Sequence, residues 1–174
     1  RRRGRLFGRR RAVRRRRRLG ALVGEAMHKR GLLKRVDVEK VREAIARAEA
    51  LTSGEIRVSV STFFWGSVRK TAERAFVRLG MVGTRERNGV LIFVVPSRRR
   101  FVILGDEGIH EKVGQAFWEE TAAAISARFR EGDFTGGLVH GIGEAARQLA
   151  VHFPRRPDDA NELPDSVDLG GEEH

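Results

Sequence analysis

The sequence predicts an α/β fold: a three-layer α/β/α sandwich around a small mixed sheet, flanked by a basic N-terminal tail and an acidic C-terminal tail. Four segments repeat apolar residues at helical spacing, and three shorter segments show strand patterns. A helix separates the first two strands, which favours a parallel pair joined by a right-handed crossover. At 174 residues, 40% of them hydrophobic, the chain can bury one sizeable core.

The first helix and the first strand are marked by a change of hydrophobic period. Asp37 is placed to cap a helix that runs to about Leu51, because apolar residues recur there every three or four positions: Val38, Val41, Ile45 and Ala48. From Glu55 the pattern alternates, with Ile56, Val58 and Val60 on one side and polar residues on the other. This alternation predicts a half-buried strand.

The second helix and the hairpin follow. Helical spacing returns between about Ser67 and Leu79. After Asn88-Gly89, the run VLIFVV is apolar without alternation, which is typical of a strand covered on both faces. The run RFVILG, after a basic turn, is predicted to be its antiparallel partner.

Two helices complete the predicted fold. The third follows Gly108 and ends at Gly132, and the fourth begins near Asp133, read as its cap, and cannot continue past Pro154. Gly137 and Gly141 lie one turn apart in the fourth helix. Glycine is a poor helix former, so we expect these two positions to let the helix approach the sheet closely.

Charge divides the chain into three parts. Twelve arginines fall within the first eighteen residues, whereas the other 156 residues hold 23 basic and 23 acidic side chains. We therefore predict an Arg-rich leader over residues 1–34, disordered or partly helical, a domain over residues 35–157 and an acidic tail over residues 158–174. The leader's five consecutive arginines could bind nucleic acid or anionic membrane: Arg14, Arg15, Arg16, Arg17 and Arg18.

Other features of the sequence limit the cellular compartment and the kinds of chemistry that the protein could carry out. The chain has no cysteine, which excludes disulfides and thiolate chemistry. The apolar stretch LGALVGEAM is interrupted by charges and lacks a convincing cleavage site, and no run approaches the ~18 apolar residues of a membrane span, so we expect a cytoplasmic protein. No P-loop or G-x-S-x-G motif occurs, and no organic cofactor is predicted.

The predicted topology brings distant acidic residues to one edge of the sheet. If the first two strands are parallel and the third runs back, the starts of two strands meet the end of the third. Glu55, Asn88, Asp106 and Glu107 would then lie together, with His110 and Glu111 added by the third helix. Clustered carboxylates repel each other unless a cation intervenes, and oxygen ligands suit Ca²⁺ and Mg²⁺. We predict a metal site there: Glu55, Asn88, Asp106, Glu107 and Glu111.

A plainer interpretation explains the same residues without a metal. Asp106 would cap the third helix, with Glu107 and Glu111 in its first turn, favoured by the helix dipole. Glu55 would pair with Arg57 or Arg87 in water. His110 would be a surface or capping residue, and Trp65 and Trp118 packing residues.

Several stretches together resemble the TPM domain family over about Asp37 to Val167. They are AIARAEALTSGEIRVSV, AFVRLGMVGTRERNGVLIFVVPSRRRFVILGDEGIHEKVGQAFWEE, RFREGDFTGGLVHGIGEAARQLAVHFP and DDANELPDSV, the last typical of a short soluble branch. The resemblance implies an α/β/α sandwich and, for some members, divalent-cation binding. It also implies a weak acid phosphatase activity ascribed to plant relatives, and accessory or assembly roles in membrane-anchored members.

One departure from the anchored members affects the site. Those members carry a Gly-x-Gly-apolar-Glu-Gly turn after the third strand, whereas this chain has GDEGIHE there. The residues that bind a metal in this chain therefore need not be the same as those in the anchored members. We expect an accessory domain that binds Ca²⁺ or Mg²⁺ and acts through a protein partner. The alternatives are a weak metal-dependent acid phosphatase and an adaptor that uses the arginines for nucleic acid or anionic membrane.

Overall fold

A computed structural model describes residues 20–25, 36–61, 66–159, 163 and 166–169. Five strands and four α-helices are defined within these ranges, besides two single-turn 3₁₀ helices. In chain order they are β1 (Gly20–Glu25), α1 (Val38–Glu49), β2 (Ile56–Val60), α2 (Val68–Arg78), β3 (Val90–Val95), β4 (Arg100–Gly105), α3 (Glu107–Arg130), α4 (Phe134–His152) and β5 (Val167–Asp168).

The strands form one mixed sheet in the order β1-β4-β3-β2-β5. β2 and β3 are parallel, with Ile56 opposite Val90, as the crossover through α2 requires. β3 and β4 form an antiparallel hairpin in which Val90 lies opposite Gly105. The predicted mixed-sheet α/β fold is thereby confirmed, and the start of β2, the start of β3 and the end of β4 share one edge.

The two outer strands come from segments that the sequence assigned to the tails. β1 pairs antiparallel with β4 along its whole length, from Gly20 opposite Gly105 to Glu25 opposite Arg100. The expectation of disorder or partial helix is therefore wrong for residues 20–25, because this segment supplies backbone partners to the otherwise open edge of β4. At the opposite edge of the sheet β5 pairs with β2, but in parallel.

Two apolar clusters lie on the two faces of the sheet. The larger fills the space between the sheet and α1, α3 and α4, and includes Trp118, Phe101 and Phe129, each at most 2% exposed. The smaller lies under α2 and contains Phe76, Met81 and Phe93 among others. Helices therefore cover both faces, which gives the three predicted layers.

The polar side of β2 is buried, which corrects the prediction of a half-buried strand. All five β2 residues are buried, and Arg57 is only 4% exposed. Alternation of polar and apolar residues does not by itself report burial. The apolar residues of β2 belong to the larger cluster, and Arg57 and Ser59 on the other side are buried as well. Within the described part of the chain, Arg57 Nε and Nη1 are buried and have no hydrogen-bond partner.

Two helices begin at the capping residues that the sequence predicted. Asp37 accepts a hydrogen bond from the Lys40 backbone N–H at 3.1 Å, and Asp133 accepts one from Gly136 at 2.8 Å, as predicted for both. Gly137 and Gly141 do permit close packing, but chiefly against α3. A Cβ at either position would lie within 2.6 Å of Phe129 or Ile125.

No helix in the described ranges is both long and apolar enough to cross a membrane.

Candidate functional site

Backbone hydrogen bonds bring three chain segments together at the predicted edge of the sheet. The Val90 N–H donates to the Glu55 carbonyl at 2.8 Å, and the Asp106 N–H donates to the Gly89 carbonyl at 2.8 Å. Glu55, Asn88 and Asp106 therefore lie at the same end of adjacent strands, as the topology predicted.

Asp106 is fully buried and is held by Arg87. Arg87 Nε donates to Oδ2 at 2.7 Å and Nη2 donates to Oδ1 at 2.6 Å, so the contact is bidentate. Oδ1 also accepts from the Glu107 backbone N–H at 2.8 Å, which makes Asp106 the cap of α3. The hydrogen bonds to Asp106 raise the pKa of Arg87 above its ordinary value, and the nearby charge of Glu107 adds to this.

The turn before β3 is shaped to present Arg87 to Asp106. Arg87 has φ 55°, in the left-handed region, and its carbonyl accepts from Gly108 N–H at 2.9 Å. The start of α3 thus lies directly against this turn. A Cβ on Gly108 would be 2.3 Å from the Glu86 carbonyl oxygen, so only glycine fits there.

A second polar group links the starts of β2 and β3. Asn88 Nδ2 donates to Ser53 Oγ at 3.2 Å, and Ser53 Oγ donates to Glu86 Oε2 at 2.6 Å. Asn88 is 1% exposed, and among the described residues its Oδ1 has no hydrogen-bond partner. A buried carbonyl oxygen without a donor costs free energy, commonly about 1–3 kcal/mol, so this atom is suited to a ligand.

A small cavity adjoins Ser53, and we call it the sheet-end cavity. Its volume is about 10 Å³, and its lining is Glu49, Thr52, Ser53, Gly54, Glu55, Arg155 and Asp159. Glu49 and Glu55 are only 6% and 3% exposed, and Glu49 Oε1 accepts from the Ile56 backbone N–H at 2.9 Å. This volume is about that of one water molecule or one small ion.

Sequence reasoning missed most of the polar residues that line this cavity, among them Glu49, Ser53 and Asp159, and it missed Glu86, which is hydrogen-bonded to Ser53. Glu49, Ser53, Glu86 and Asp159 belong to a helix end, two turns and the segment after α4, and none carries a motif. Ser53 and Glu86 lie two residues from Glu55 and Asn88 in the sequence, but no such signal pointed to Glu49 or Asp159. Burial of Glu55 also corrects the plainer interpretation, because Glu55 is not in water and Arg87 is bound to Asp106 instead.

The remaining predicted residues lie around α3. Glu107 is partly buried in the first turn, and Glu111 is exposed one turn later. His110 Nδ1 accepts a hydrogen bond from Trp118 Nε1 at 3.1 Å, across a break in the helix at Gly114 (φ 72°). Trp118 is fully buried against Gly105, so His110 is tied to the packing of α3 on the sheet.

The predicted acidic residues do not form a ready-made ligand shell within the described ranges. In the part of the chain that the structure describes, no three His, Cys, Asp or Glu side chains are grouped so that they could hold a metal ion. This count leaves out amide, hydroxyl and backbone oxygens, which hard cations also use. Asn88 Oδ1 and Ser53 Oγ are oxygens of that kind.

Two groups of predicted residues fall outside the described ranges. Arg14, Arg15, Arg16, Arg17 and Arg18 precede β1, and Trp65 precedes α2.

Comparison with known proteins identifies the family. The TPM domain model matches residues 27–148, which include the turn around Arg87, both central strands and the start of α3. The chain belongs to the TPM domain family. This domain is also similar to a solved structure, the NMR structure of the BA42 protein from the psychrophilic bacterium Bizionia argentinensis. The two are 38% identical with a TM-score of 0.72, over 83% of this chain and 98% of that one. No curated protein matches the chain.

Proposed function

We propose that this TPM domain binds a divalent cation, Ca²⁺ or Mg²⁺, at the sheet-end cavity and acts as an accessory domain through contact with a protein partner. The observation that carries the proposal is Asn88 Oδ1, a buried carbonyl oxygen with no hydrogen-bond partner among the described residues. Its amide nitrogen is committed to Ser53, which lines the cavity.

The carboxylates around the cavity support a cation in particular. Glu49 and Glu55 are buried, and Asp159 lines the same space. Ionised carboxylates that line one small cavity repel each other, and burial weakens the screening that water would provide. Among the described lining residues Arg155 is the one cation, and its Nη1 donates to the Glu49 backbone carbonyl at 2.9 Å. A hard cation would offset that repulsion and prefers such oxygen ligands.

The ion pair of Arg87 with Asp106 limits the set of ligands. Both Asp106 oxygens accept hydrogen bonds from Arg87, so its negative charge is already compensated. We therefore centre the proposed site on Glu55 and Asn88, with Glu49, Ser53 and Asp159 around them. Glu107 and Glu111 remain outer members that add negative potential at the same edge of the sheet.

Exposed apolar side chains, one of them tied to the cavity lining, suit a protein partner. Leu51 is 62% exposed and Val151 71% exposed. Leu51 follows α1, and its carbonyl accepts a hydrogen bond at 3.3 Å from the backbone N–H of Arg155, which lines the cavity. A partner that covers Leu51 would therefore also contact the rim of the cation site.

The test is a titration of the full chain with CaCl₂ and then MgCl₂, followed by amide chemical shifts in ¹H–¹⁵N spectra. We expect saturable shifts at Ser53, Glu55 and Asn88. Glu55→Gln removes one charge while keeping size and should weaken the affinity at least tenfold, which corresponds to about 1.4 kcal/mol.

Glu131→Gln is the matched control, because Glu131 is exposed at the end of α3 and carries the same charge. It should leave the titration unchanged. Equal weakening by both substitutions would mean that the affinity for the cation depends only on the net charge of the protein. Absence of saturable shifts near Ser53 would contradict the proposal.

A further inference from the structure

Helix α2 carries a groove on its solvent side that combines positive charge with an apolar side chain. The groove has a volume of about 710 Å³, and its lining is Lys70, Glu73, Arg74, Val77 and Arg78. Val77 is 57% exposed, which is high for an apolar side chain. Lys70 and Arg74 are exposed and lie one helical turn apart, so their charges are neighbours on one face of the helix.

Two cations of this groove have no acidic partner in the described part of the chain. Neither Lys70 nor Arg74 forms an ion pair there, whereas Arg78 Nη2 donates to Asp168 Oδ2 at 2.6 Å. Glu73 also lines the groove, but it already accepts a hydrogen bond from Arg69 Nε at 3.0 Å. The groove therefore presents two uncompensated positive charges.

The apolar part of the groove decides what kind of ligand it suits. Exposed ion pairs contribute little to affinity because water screens them, whereas the gain from covering an apolar side chain grows with the area removed from water. A ligand of this groove should therefore offer an apolar group to Val77 for affinity. Its negative charges, placed on Lys70 and Arg74, would then supply orientation and selectivity.

We propose that the α2 groove binds an extended acidic segment of a protein partner, with two carboxylates on Lys70 and Arg74 and an apolar side chain on Val77. Lys70 and Arg74 are about 6 Å apart along the helix axis, and alternate residues of an extended peptide lie about 7 Å apart on one face. The helix rises about 11 Å from Lys70 to Val77, which matches about 13 Å for four residues of extended peptide. The segment therefore has the pattern acidic-x-acidic-x-apolar.

The groove suits a protein segment better than nucleic acid or a membrane surface. Two cations neutralise at most about two phosphates, whereas strong salt-dependent binding to DNA uses roughly six to ten. Basic clusters that recognise anionic lipid carry about four to eight Lys or Arg residues. A phosphate backbone also offers no apolar group to cover Val77.

This surface is separate from the proposed cation site. α2 packs on the smaller apolar cluster, whereas α1, α3 and α4 pack on the larger one across the sheet. The inference therefore goes beyond the proposed function and does not depend on it. Glu55→Gln should weaken cation binding and leave peptide binding to α2 unchanged, so that failure of one proposal can be told from failure of the other.

The experiment titrates the full ¹⁵N-labelled chain with a synthetic peptide and follows amide chemical shifts. The probe is a heptapeptide of serine, blocked at both ends, with glutamate at its second and fourth positions and leucine at its sixth. We expect saturable shifts at Lys70, Arg74 and Val77 at low salt. The affinity should fall at least tenfold near 1 M NaCl, where the Debye length is about 3 Å. Serine in place of leucine should weaken binding about fivefold, because apolar contact is lost.

Two sets of variants test the assignment of the surface. Lys70→Glu combined with Arg74→Glu should weaken binding at least tenfold, and this variant should instead bind a probe with lysine in place of both glutamates, which shows that it is folded. Val77→Ser should remove the preference for leucine. The matched control is Lys112→Glu with Arg130→Glu, which makes the same charge change on α3 and should leave the affinity unchanged.

Several results would overturn the proposal. One is undiminished binding after reversal of Lys70 and Arg74, and another is equal affinity for the probes with and without leucine. If a short DNA duplex or phosphatidylglycerol vesicles shifted the same amides more strongly, and did so in Val77→Ser as well, the surface would belong to phosphates. Self-association that shifts these amides and is abolished by Glu119→Lys with Glu120→Lys, two exposed acidic residues of α3, would assign the groove to a second copy.

Discussion

The guanidinium of Arg87 and the carboxylate of Asp106 form a bidentate ion pair, with N–O distances of 2.7 and 2.6 Å, at the meeting point of β3, β4 and α3. Asp106 is fully buried, whereas the Arg87 side chain is 31% exposed. The pair joins the turn before β3 to the first turn of α3. It therefore sets the shape of the sheet end where the cation site is proposed.

Replacing Arg87 with Ala should destabilise the fold by about 3 kcal/mol, because a buried carboxylate loses its compensating charge. Urea unfolding at neutral pH measures this. The exposed neighbour Arg85 is the control, and Arg85→Ala should change stability by less than about 0.5 kcal/mol. The hydrogen bonds to Asp106 raise the pKa of Arg87, so its contribution to stability is fully present below the ordinary pKa of a guanidinium and is lost only in strong base. Titration of Arg87 should therefore not change the stabilising effect of this ion pair across the neutral pH range.

The close approach of α3 to the turn at Arg87 predicts a contrast between two glycines. Gly108→Ala should destabilise by about 1–3 kcal/mol, because its Cβ would meet backbone carbonyls at 2.3 and 2.8 Å that cannot easily move. Gly143 is exposed within α4, and a Cβ there meets nothing within 4 Å. Gly143→Ala should stabilise by up to about 1 kcal/mol. Thermal unfolding of both variants tests this, and equal effects would contradict the packing described.

The cap of α1 predicts a dependence on acid. The hydrogen bond from the Lys40 backbone holds the pKa of Asp37 below its ordinary 3.8. A lowered folded-state pKa means that the stabilising effect is present above about 3.8 and is lost as the pH falls through the folded value. Asn caps helices as well as Asp but does not titrate. The stability difference between wild type and Asp37→Asn should therefore change between pH 5 and pH 2 in urea titrations. A constant difference would count against this cap.

The position of β1 predicts different results from two truncations. Removing residues 1–18 keeps β1, so stability should be retained while salt-sensitive binding to DNA and to anionic vesicles is lost. Removing residues 1–26 also deletes the strand that pairs with β4 and should lower the unfolding midpoint. Undiminished binding by the shorter truncation would refute a role for Arg14 to Arg18.

The sequence predicted those helices and strands whose caps or apolar patterns lie within a single segment. Asp37, Asp133 and the apolar run of β3 each carry such a signal, and the crossover rule then oriented the sheet. β5 is two residues long and has no pattern of its own. β1 follows an arginine run, and only the open edge of β4, a tertiary feature, explains its pairing.

The sequence predicted which strand ends meet at this edge of the sheet, but not how their side chains pair. Topology placed Glu55, Asn88 and Asp106 at one edge, whereas nothing in the sequence showed that Arg87 would take Asp106. That pairing depends on a left-handed backbone at Arg87 and on the absence of a side chain at Gly108. Burial of Glu49 and Glu55 depends likewise on how α1 and the chain after α4 close around the start of β2.

Binding of Mn²⁺ followed by paramagnetic broadening of amide signals tests the central claim most directly, because manganese accepts the same oxygen ligands and reports its own position. We predict that substoichiometric Mn²⁺ broadens Ser53, Glu55 and Asn88 first, and that excess Ca²⁺ or Mg²⁺ restores them. Broadening centred on the exposed Glu111 or on residues 170–174, with the start of β2 unaffected, would contradict a cation site in the sheet-end cavity.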